Sequence, residues 1–185
     1  MDREFRNEIV IEILGWVRLI IMTVAFALFF NFFVIVNAVI PTGSMEQTIM
    51  TGDRIIAFRL SYVLSDPQRH DIIILPDPDN PRGDLYIKRI VGMPGETLYI
   101  ENGSVYVQRP EADTFERIYE GFLNPNDLPR CNFGPITVPE NAFFVMGDNR
   151  NNSLDSRHWT NQFVYENNIL GRAIFRYYPG VRMIH

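Results

Sequence analysis

Lysine is almost absent from this chain, in which one residue, Lys88, stands against sixteen arginines. Cysteine is as scarce, and the single Cys131 cannot form an internal disulfide, so it neither requires nor excludes an oxidising compartment. Three scattered histidines, with no CxxC or HExxH pattern, argue against a zinc site. A formal net charge of −5 argues against nucleic acid as the main partner. We therefore expect no metal, no cofactor and no nucleic acid.

The lone lysine raises the question of whether its amine is needed, because arginine stays charged in proteins whereas a dehydrated lysine can lose its proton. In the run LYIKRIV (85–91), strand alternation puts Lys88 on the same face as Tyr86 and Ile90. Such a face would desolvate the amine, lower its pKa toward neutrality and make it usable as a general base. A snorkelling lysine at a sheet edge is the alternative interpretation.

An uncharged, apolar run of 22 residues covers residues 19–40 near the N-terminus. It is long enough to cross a hydrocarbon core of about 30 Å, which predicts a transmembrane helix over 19–40 in contact with the lipid bilayer. Three arginines precede the run and one follows it closely. The positive-inside rule then predicts a cytoplasmic segment 1–18 and an extracytoplasmic domain 41–185 on a single-pass protein of the cell membrane. A cleaved signal peptide is the alternative, because Val36-Asn37-Ala38 resembles a cleavage site, but the run is long for one.

After Pro41 the helical pattern gives way to short β-branched and aromatic runs separated by turn residues. Asn102-Gly103 is typical of a hairpin turn between two of these runs. We therefore expect a mostly β fold, with antiparallel coiled sheets or a barrel-like domain behind a single N-terminal transmembrane α-helix. Residues 108–135, rich in Pro, Asn and acidic residues, are predicted to be a loop or insertion outside the main sheet. The predicted strands are RIIAF (54–58), DIIIL (71–75), LYIKRIV (85–91), TLYI (97–100), SVYV (104–107), AFFVM (142–146) and RAIFRYY (172–178).

Two further stretches could carry chemistry. The first is PTGSM (41–45), in which Ser44 follows a glycine directly after the apolar run. The second is GDNRNNSLDSR (147–157), a turn followed by the polar residues Ser153, Asp155 and Arg157. Taken alone, a Gly-Ser pair is usually a turn, and the polar cluster fits a solvated Asx-rich loop.

Four motifs that follow the apolar segment resemble, in this order, the type I signal peptidase (leader peptidase) family. They are PTGSM, GDRIIAFRLSY, YIKRIVGMPGE and GDNRNNSLDSRHW, and the resemblance covers nearly the whole chain. The resemblance implies a membrane-anchored serine endopeptidase that removes signal peptides from exported preproteins after small residues, at Ala-x-Ala-like sites. It assigns Ser44 as the nucleophile and Lys88 as the general base, a known variant of serine acyl-transfer chemistry.

The resemblance also implies roles around this dyad. The Ser44 N–H and the Thr42 hydroxyl would form the oxyanion hole. Ser153 would orient the Lys88 amine, and the pair Asp155–Arg157 would support that loop. Shallow substrate pockets would be lined by Ile40, Pro41, Met45, Ile49 and Tyr86. The chain departs from the family pattern at Thr42, where serine is frequent, at Gln47, where proline is common, and at His70 and Thr160, where glycine is frequent.

Three other interpretations of the sequence are weighed against a signal peptidase. A self-cleaving serine–lysine protein of the SOS-repressor type would carry a DNA-binding domain where this chain has an apolar run. A Ser–His hydrolase using His70 or His158 would be expected to show a G-x-S-x-G elbow, which is missing. A catalytically inactive, membrane-tethered β-domain that binds extended peptides would have no need of the serine, the lysine and the polar cluster together.

Overall fold

The computed structural model describes residues 3–80 and 83–184. The chain begins with one long helix, α1, at Arg3–Phe33, whose side chains from Glu8 to Phe33 are all exposed. Its 31 residues give a length of about 46 Å. The part Glu8–Phe33 is long and apolar enough to span a membrane.

The end of this helix differs from the predicted span 19–40. α1 ends at Phe33, and residues Ile35–Val39 form a β-strand instead. Val36 and Ile40 are 5% and 3% exposed in the core of the β domain, so these apolar residues pack against protein. The prediction of helix up to Ile40 is wrong, because an uncharged run looks the same whether lipid or a protein core covers it. Met1, Asp2 and His185, at the ends of the predicted segments 1–18 and 41–185, lie outside the described residues.

The described part of the chain after α1 is built mainly from β-strands, with one short α-helix, α2 (Ser61–Leu64), and two 3₁₀ helices at Pro125–Asp127 and Glu166–Asn168. The strands are β1 (Ile35–Val39), β2 (Arg54–Phe58), β3 (Ile72–Pro76), β4 (Leu85–Gly92), β5 (Thr97–Glu101), β6 (Ser104–Gln108), β7 (Glu116–Arg117), β8 (Phe133–Thr137), β9 (Ala142–Met146), β10 (Val164–Tyr165), β11 (Gly171–Tyr178) and β12 (Arg182–Met183).

The strands form two antiparallel sheets. The larger sheet has eight strands in the order β1-β2-β11-β3-β4-β9-β10, with β12 paired to β11. The smaller sheet has the order β7-β6-β5-β8. The predicted mostly β fold with antiparallel sheets and an N-terminal apolar helix is therefore confirmed. All seven predicted runs are strands, with bounds within about one residue of those expected.

The smaller sheet contains the predicted hairpin. β5 and β6 pair from Thr97 opposite Gln108 to Glu101 opposite Ser104, and the turn residues Asn102 and Gly103 have φ of 50° and 75°. Two residues with positive φ make the turn that matches the twist of a hairpin. Residues 108–135 lie outside the larger sheet, but they are not only a loop, because they contain β7 and the start of β8.

Strand pairing leaves one stretch of the larger sheet open. β4 pairs with β3 from Leu85 to Arg89, whereas its pairing with β9 begins only at Arg89. The first half of β4 therefore has one unpaired edge. β1 is the terminal strand of the same sheet, and the chain that leaves it continues into the loop that carries Ser44.

Candidate active site

The loop that follows β1 holds Ser44 in a fixed position. The side chains of Met45 and Ile49 are fully buried in the core cluster beneath the large sheet and anchor the loop from below. The Ile49 N–H donates to the carbonyl oxygen of Met45 at 2.8 Å, which closes one helical turn. From the opposite side the Asn149 N–H donates to the carbonyl oxygen of Ser44 at 3.1 Å. Ser44 itself is 6% exposed.

Lys88 reaches this serine from β4. Its Nζ lies 2.8 Å from Ser44 Oγ and 3.1 Å from the carbonyl oxygen of Ile87. The lysine is 2% exposed, and Nζ lies 5.0 Å from the centre of the Tyr86 ring. Ile73, opposite Lys88 on β3, is fully buried. Burial lowers the pKa of Lys88 from 10.5 to about 8, because the charged form loses its water.

The negative charges of two carboxylates, Asp155 and Asp148, raise the pKa of Lys88, but each carboxylate is already paired with an arginine. Arg89 donates from Nε and Nη2 to Asp148 at 2.8 and 2.7 Å, and both residues are buried. Because these ion pairs balance their own charges, neither carboxylate serves as the counter-ion of the lysine. The amine can therefore stay uncharged in spite of its acidic neighbours.

The loop of residues 147–157 is held by Asp155, which is fully buried. Arg157 donates from Nε and Nη2 to its two carboxylate oxygens, each at 2.8 Å, and the Gly147 N–H donates at 3.0 Å. Burial raises the pKa of Asp155, and the hydrogen bonds and charge of Arg157 outweigh this and hold the pKa below its usual value. Gly147 has no room for a side chain, because a Cβ would overlap the Ser44 carbonyl oxygen and Ser153 Oγ.

Ser153 and Thr42 lie beside the two central residues without touching them by a hydrogen bond. Ser153 Oγ is buried and forms no hydrogen bond to Lys88 or to Ser44. It lines the same cleft as Lys88 and Ser44, so its predicted contact with the amine is not formed in this structure. Thr42 is exposed at the mouth of that cleft. The orienting role of Ser153 and the oxyanion role of Thr42 stay predictions.

Two clefts of about 340 and 480 Å³ meet at Thr42 and Tyr86. The first runs between the end of β1 and the unpaired edge of β4 and is lined by Ile40, Pro41 and Tyr86 among others. The second contains Ser44, Lys88 and Ser153. Of the five predicted substrate-binding residues, Met45 and Ile49 line neither cleft and belong to the core.

Sequence reasoning missed Arg89 and Asp148. Strand alternation places Arg89 on the face of β4 opposite Lys88, where the buried guanidinium needs a partner of opposite charge. Asp148 is that partner, and its carboxylate also accepts a hydrogen bond from the Thr48 hydroxyl at 2.5 Å. The sequence signal that could have indicated this buried ion pair is the position of an arginine inside an otherwise apolar, β-branched strand. Of the two candidate histidines, His158 lines the second cleft and His70 packs against Phe122, 5.2 Å away. The described residues hold no cluster of three or more acidic, His or Cys side chains that could bind a metal.

A buried amine against a serine hydroxyl, on an antiparallel β framework behind an apolar helix, defines the class of this protein as a serine hydrolase. The family model described as signal peptidase, peptidase S26, matches residues 13–178, and the chain belongs to this family. Its relatives are named as signal peptidase I enzymes, which are serine endopeptidases, and the predicted family and enzyme class are confirmed.

Three relatives illustrate the match. A probable signal peptidase I-2 from Synechocystis is 38% identical over 78% of this chain and 63% of its own length. A probable signal peptidase I-1 from the same organism is 36% identical over 90% of this chain and 83% of its own length. A crystal structure of a signal peptidase I from Enterococcus faecalis is 31% identical, with a TM-score of 0.46, and covers 58% of this chain and 97% of that one.

Proposed function

We propose that this chain cleaves N-terminal signal peptides from exported preproteins through an acyl-enzyme on Ser44, with Lys88 as the general base. The observation that carries the proposal is the 2.8 Å contact between Lys88 Nζ and Ser44 Oγ inside a buried site. A serine hydroxyl is a poor nucleophile until a base takes its proton, and a lysine can do so only when it is neutral. A pKa of about 8 for Lys88 makes the neutral amine available near physiological pH.

The chemical steps use few groups. Ser44 Oγ attacks the scissile carbonyl carbon while its proton moves to Lys88 Nζ. The ammonium then returns this proton to the leaving amine of the mature protein. A water molecule then gives a proton to the same amine and attacks the acyl carbon. The ammonium returns that proton to Ser44 Oγ as the bond between Oγ and the acyl carbon breaks, which releases the signal peptide and restores the dyad. The Ser44 N–H and the exposed Thr42 hydroxyl stand at the cleft as donors for the oxyanion.

The first cleft supports recognition of an extended peptide. It runs between β1, the terminal strand, and the unpaired first half of β4, so a substrate strand can hydrogen-bond to free backbone groups there. Its lining by Ile40, Pro41 and Tyr86 leaves shallow apolar space next to Ser44. Small side chains such as alanine before the scissile bond fit such a site, and larger ones do not.

The membrane arrangement is a separate part of the proposal. α1 is the span, its N-terminal end is cytoplasmic and the β domain is extracytoplasmic, which brings the active site to the surface where signal peptides emerge. Cys131 is exposed and is the only cysteine, so it reports the side of the β domain. A membrane-impermeant maleimide should label it in right-side-out vesicles of the membrane that holds the protein and not in inside-out vesicles. Labelling only in inside-out vesicles would place the β domain in the cytoplasm and contradict this orientation.

The full chain in detergent, incubated with a preprotein that has an Ala-x-Ala site, tests the activity. Wild type should release the mature protein, and Ser44→Ala and Lys88→Arg should not, because the guanidinium of arginine remains charged. Cleavage by Lys88→Arg would overturn the lysine-base mechanism. Peptide binding without cleavage by the wild type would favour the inactive, peptide-binding β domain instead.

A further inference from the structure

Residues 119–131, which we call the strap, belong to none of the motifs but lie against the catalytic loops. Near the start of the strap lies Glu120, whose carboxylate accepts hydrogen bonds from Nη1 and Nη2 of Arg150 at 3.0 and 2.5 Å. The side chains of these two residues are 6% and 0% exposed. A bidentate pair removed from water to this degree fixes the relative position of the two segments that it joins.

Arg150 transmits this contact to the active site. Its Nε donates to the carbonyl oxygen of Gly147 at 3.1 Å, and its own carbonyl oxygen accepts from Arg157 Nη2 at 2.7 Å. Gly147 is the residue with no space for a Cβ between the Ser44 carbonyl oxygen and Ser153. The chain of contacts from the strap to the nucleophile therefore has only two intermediate residues.

Further strap residues contact the loop 147–157 and strand β4. The side chain of Asn151 accepts from the Arg130 N–H and donates to the carbonyl oxygen of Leu128, each at 3.0 Å. The Phe122 ring lies 4.0 Å from the guanidinium carbon of Arg89, the arginine that neutralises Asp148. The strap thus contacts both the loop 147–157 and the strand that carries the lysine.

We propose that Glu120 is a positioning residue for peptide-bond cleavage, acting through Arg150 to hold Gly147 and the loop 147–157 against Ser44. This role rests on the proposed function. Without the carboxylate, the buried guanidinium of Arg150 loses its counter-charge and turns toward water or another acceptor. The contact with Gly147 then loosens, the distance between nucleophile and base varies, and water reaches the lysine.

The test compares Glu120→Gln with Glu116→Gln in the full chain, using kcat, KM and the pH profile of preprotein cleavage. Glu116 is a matched control, because it pairs with Arg109 in the same part of the chain at 3.5 Å but with both side chains more than 60% exposed. Glu120→Gln should lower kcat on the order of 10- to 100-fold with KM within about twofold of wild type. Its acidic limb should move to higher pH, since a more hydrated amine has a higher pKa. Glu116→Gln should leave all three unchanged.

Coupling to Arg150 provides a second readout. Arg150→Lys keeps a charge but loses the planar fork. Its effect on kcat should not add to that of Glu120→Gln in the double variant, because both break one path. Additive losses would overturn the proposal. So would a Glu120→Gln protein whose kcat falls only with its folded fraction, measured by circular dichroism, and whose acidic limb stays in place.

A conservative variant keeps the proposal testable if Glu120→Gln does not fold. Glu120→Asp retains the charge and should recover most of kcat and the wild-type limb, and failure to do so in a folded protein would count against a charge-based role. The preceding comparison of wild type with Ser44→Ala is read separately. If wild type does not cleave, the proposed function fails whatever Glu120 does.

Discussion

The pH at which Lys88 loses its proton decides how much of the protein is competent at neutral pH. With a pKa of about 8 instead of 10.5, the neutral fraction at pH 7 is about one in ten instead of about one in three thousand. We therefore expect kcat/KM to rise about tenfold per pH unit below pH 8 and to level off above it, since the base must be neutral to act.

Access of water to the Lys88 amine should move the acidic limb of the pH profile, which is the range over which kcat/KM rises with pH. Tyr86→Ser removes the ring that lies 5.0 Å from Lys88 Nζ and admits water, so the limb should move from about pH 8 toward 10.5. At pH 7 the loss of kcat/KM should approach 300-fold at most, about tenfold for each unit by which the pKa rises. Leu85→Ser is the matched control, because Leu85 lines the first cleft beside Tyr86 but is 41% exposed and does not line the second cleft, which contains Lys88.

The assay is the initial rate of cleavage of an internally quenched Ala-x-Ala peptide at subsaturating concentration, from pH 6 to 10.5. A loss that is constant at every pH reports weaker peptide binding, whereas a displaced limb reports the lysine. A wild-type limb near pH 10.5 would refute the argument that burial lowers the lysine pKa. An unchanged limb in Tyr86→Ser would refute the part assigned to the ring.

The remaining predictions concern the groups around the dyad. Lys88→Met should abolish cleavage but raise the free energy of unfolding at pH 7 by about 3 kcal/mol. Because the pKa of Lys88 is lower in the folded than in the unfolded state, this gain in stability should shrink as the pH rises from about 8 to 10.5. Urea titrations at several pH values would show both effects. Asp155→Asn should lower the free energy of unfolding by about 3–5 kcal/mol in the same assay, since its buried guanidinium partner loses its counter-charge, and an unchanged value would contradict this. Gly147→Ala should reduce kcat by displacing the Ser44 carbonyl oxygen, whereas Gly180→Ala, which adds its methyl in open space, should not.

Most of the fold could be predicted from local patterns. The runs around Ile56, Ile73 and Val145 are short, mostly apolar stretches rich in β-branched or aromatic residues, so they indicate strands without help from distant residues. β1 was missed because its apolar side chains continue the composition of α1. β7, β10 and β12 have two residues each and exist only through their pairing partners, which a local pattern does not reveal.

The candidate site was predictable only in part, for a different reason. Ser44 and Lys88 could be named from motifs, but that Arg89 and Arg150 are buried with carboxylates depends on contacts across 59 and 30 residues. The departure at His70 illustrates the same limit. This residue has φ of 73°, a conformation that favours glycine, and its carbonyl oxygen accepts from Arg89, which the sequence alone did not indicate.

The single residue between α1 and β1 has a mechanical consequence. Val34 is the only residue between Phe33 and Ile35, and its carbonyl oxygen accepts from the Arg59 N–H at 2.9 Å. With α1 in the bilayer, as proposed, no slack exists by which the β domain could rise, tilt or rotate away from the membrane. The distance from the bilayer to Ser44 is then set by the length of one strand. On the proposed arrangement, the height of a bond above the membrane, as well as the side chains beside it, would decide which bond of an emerging chain is cut.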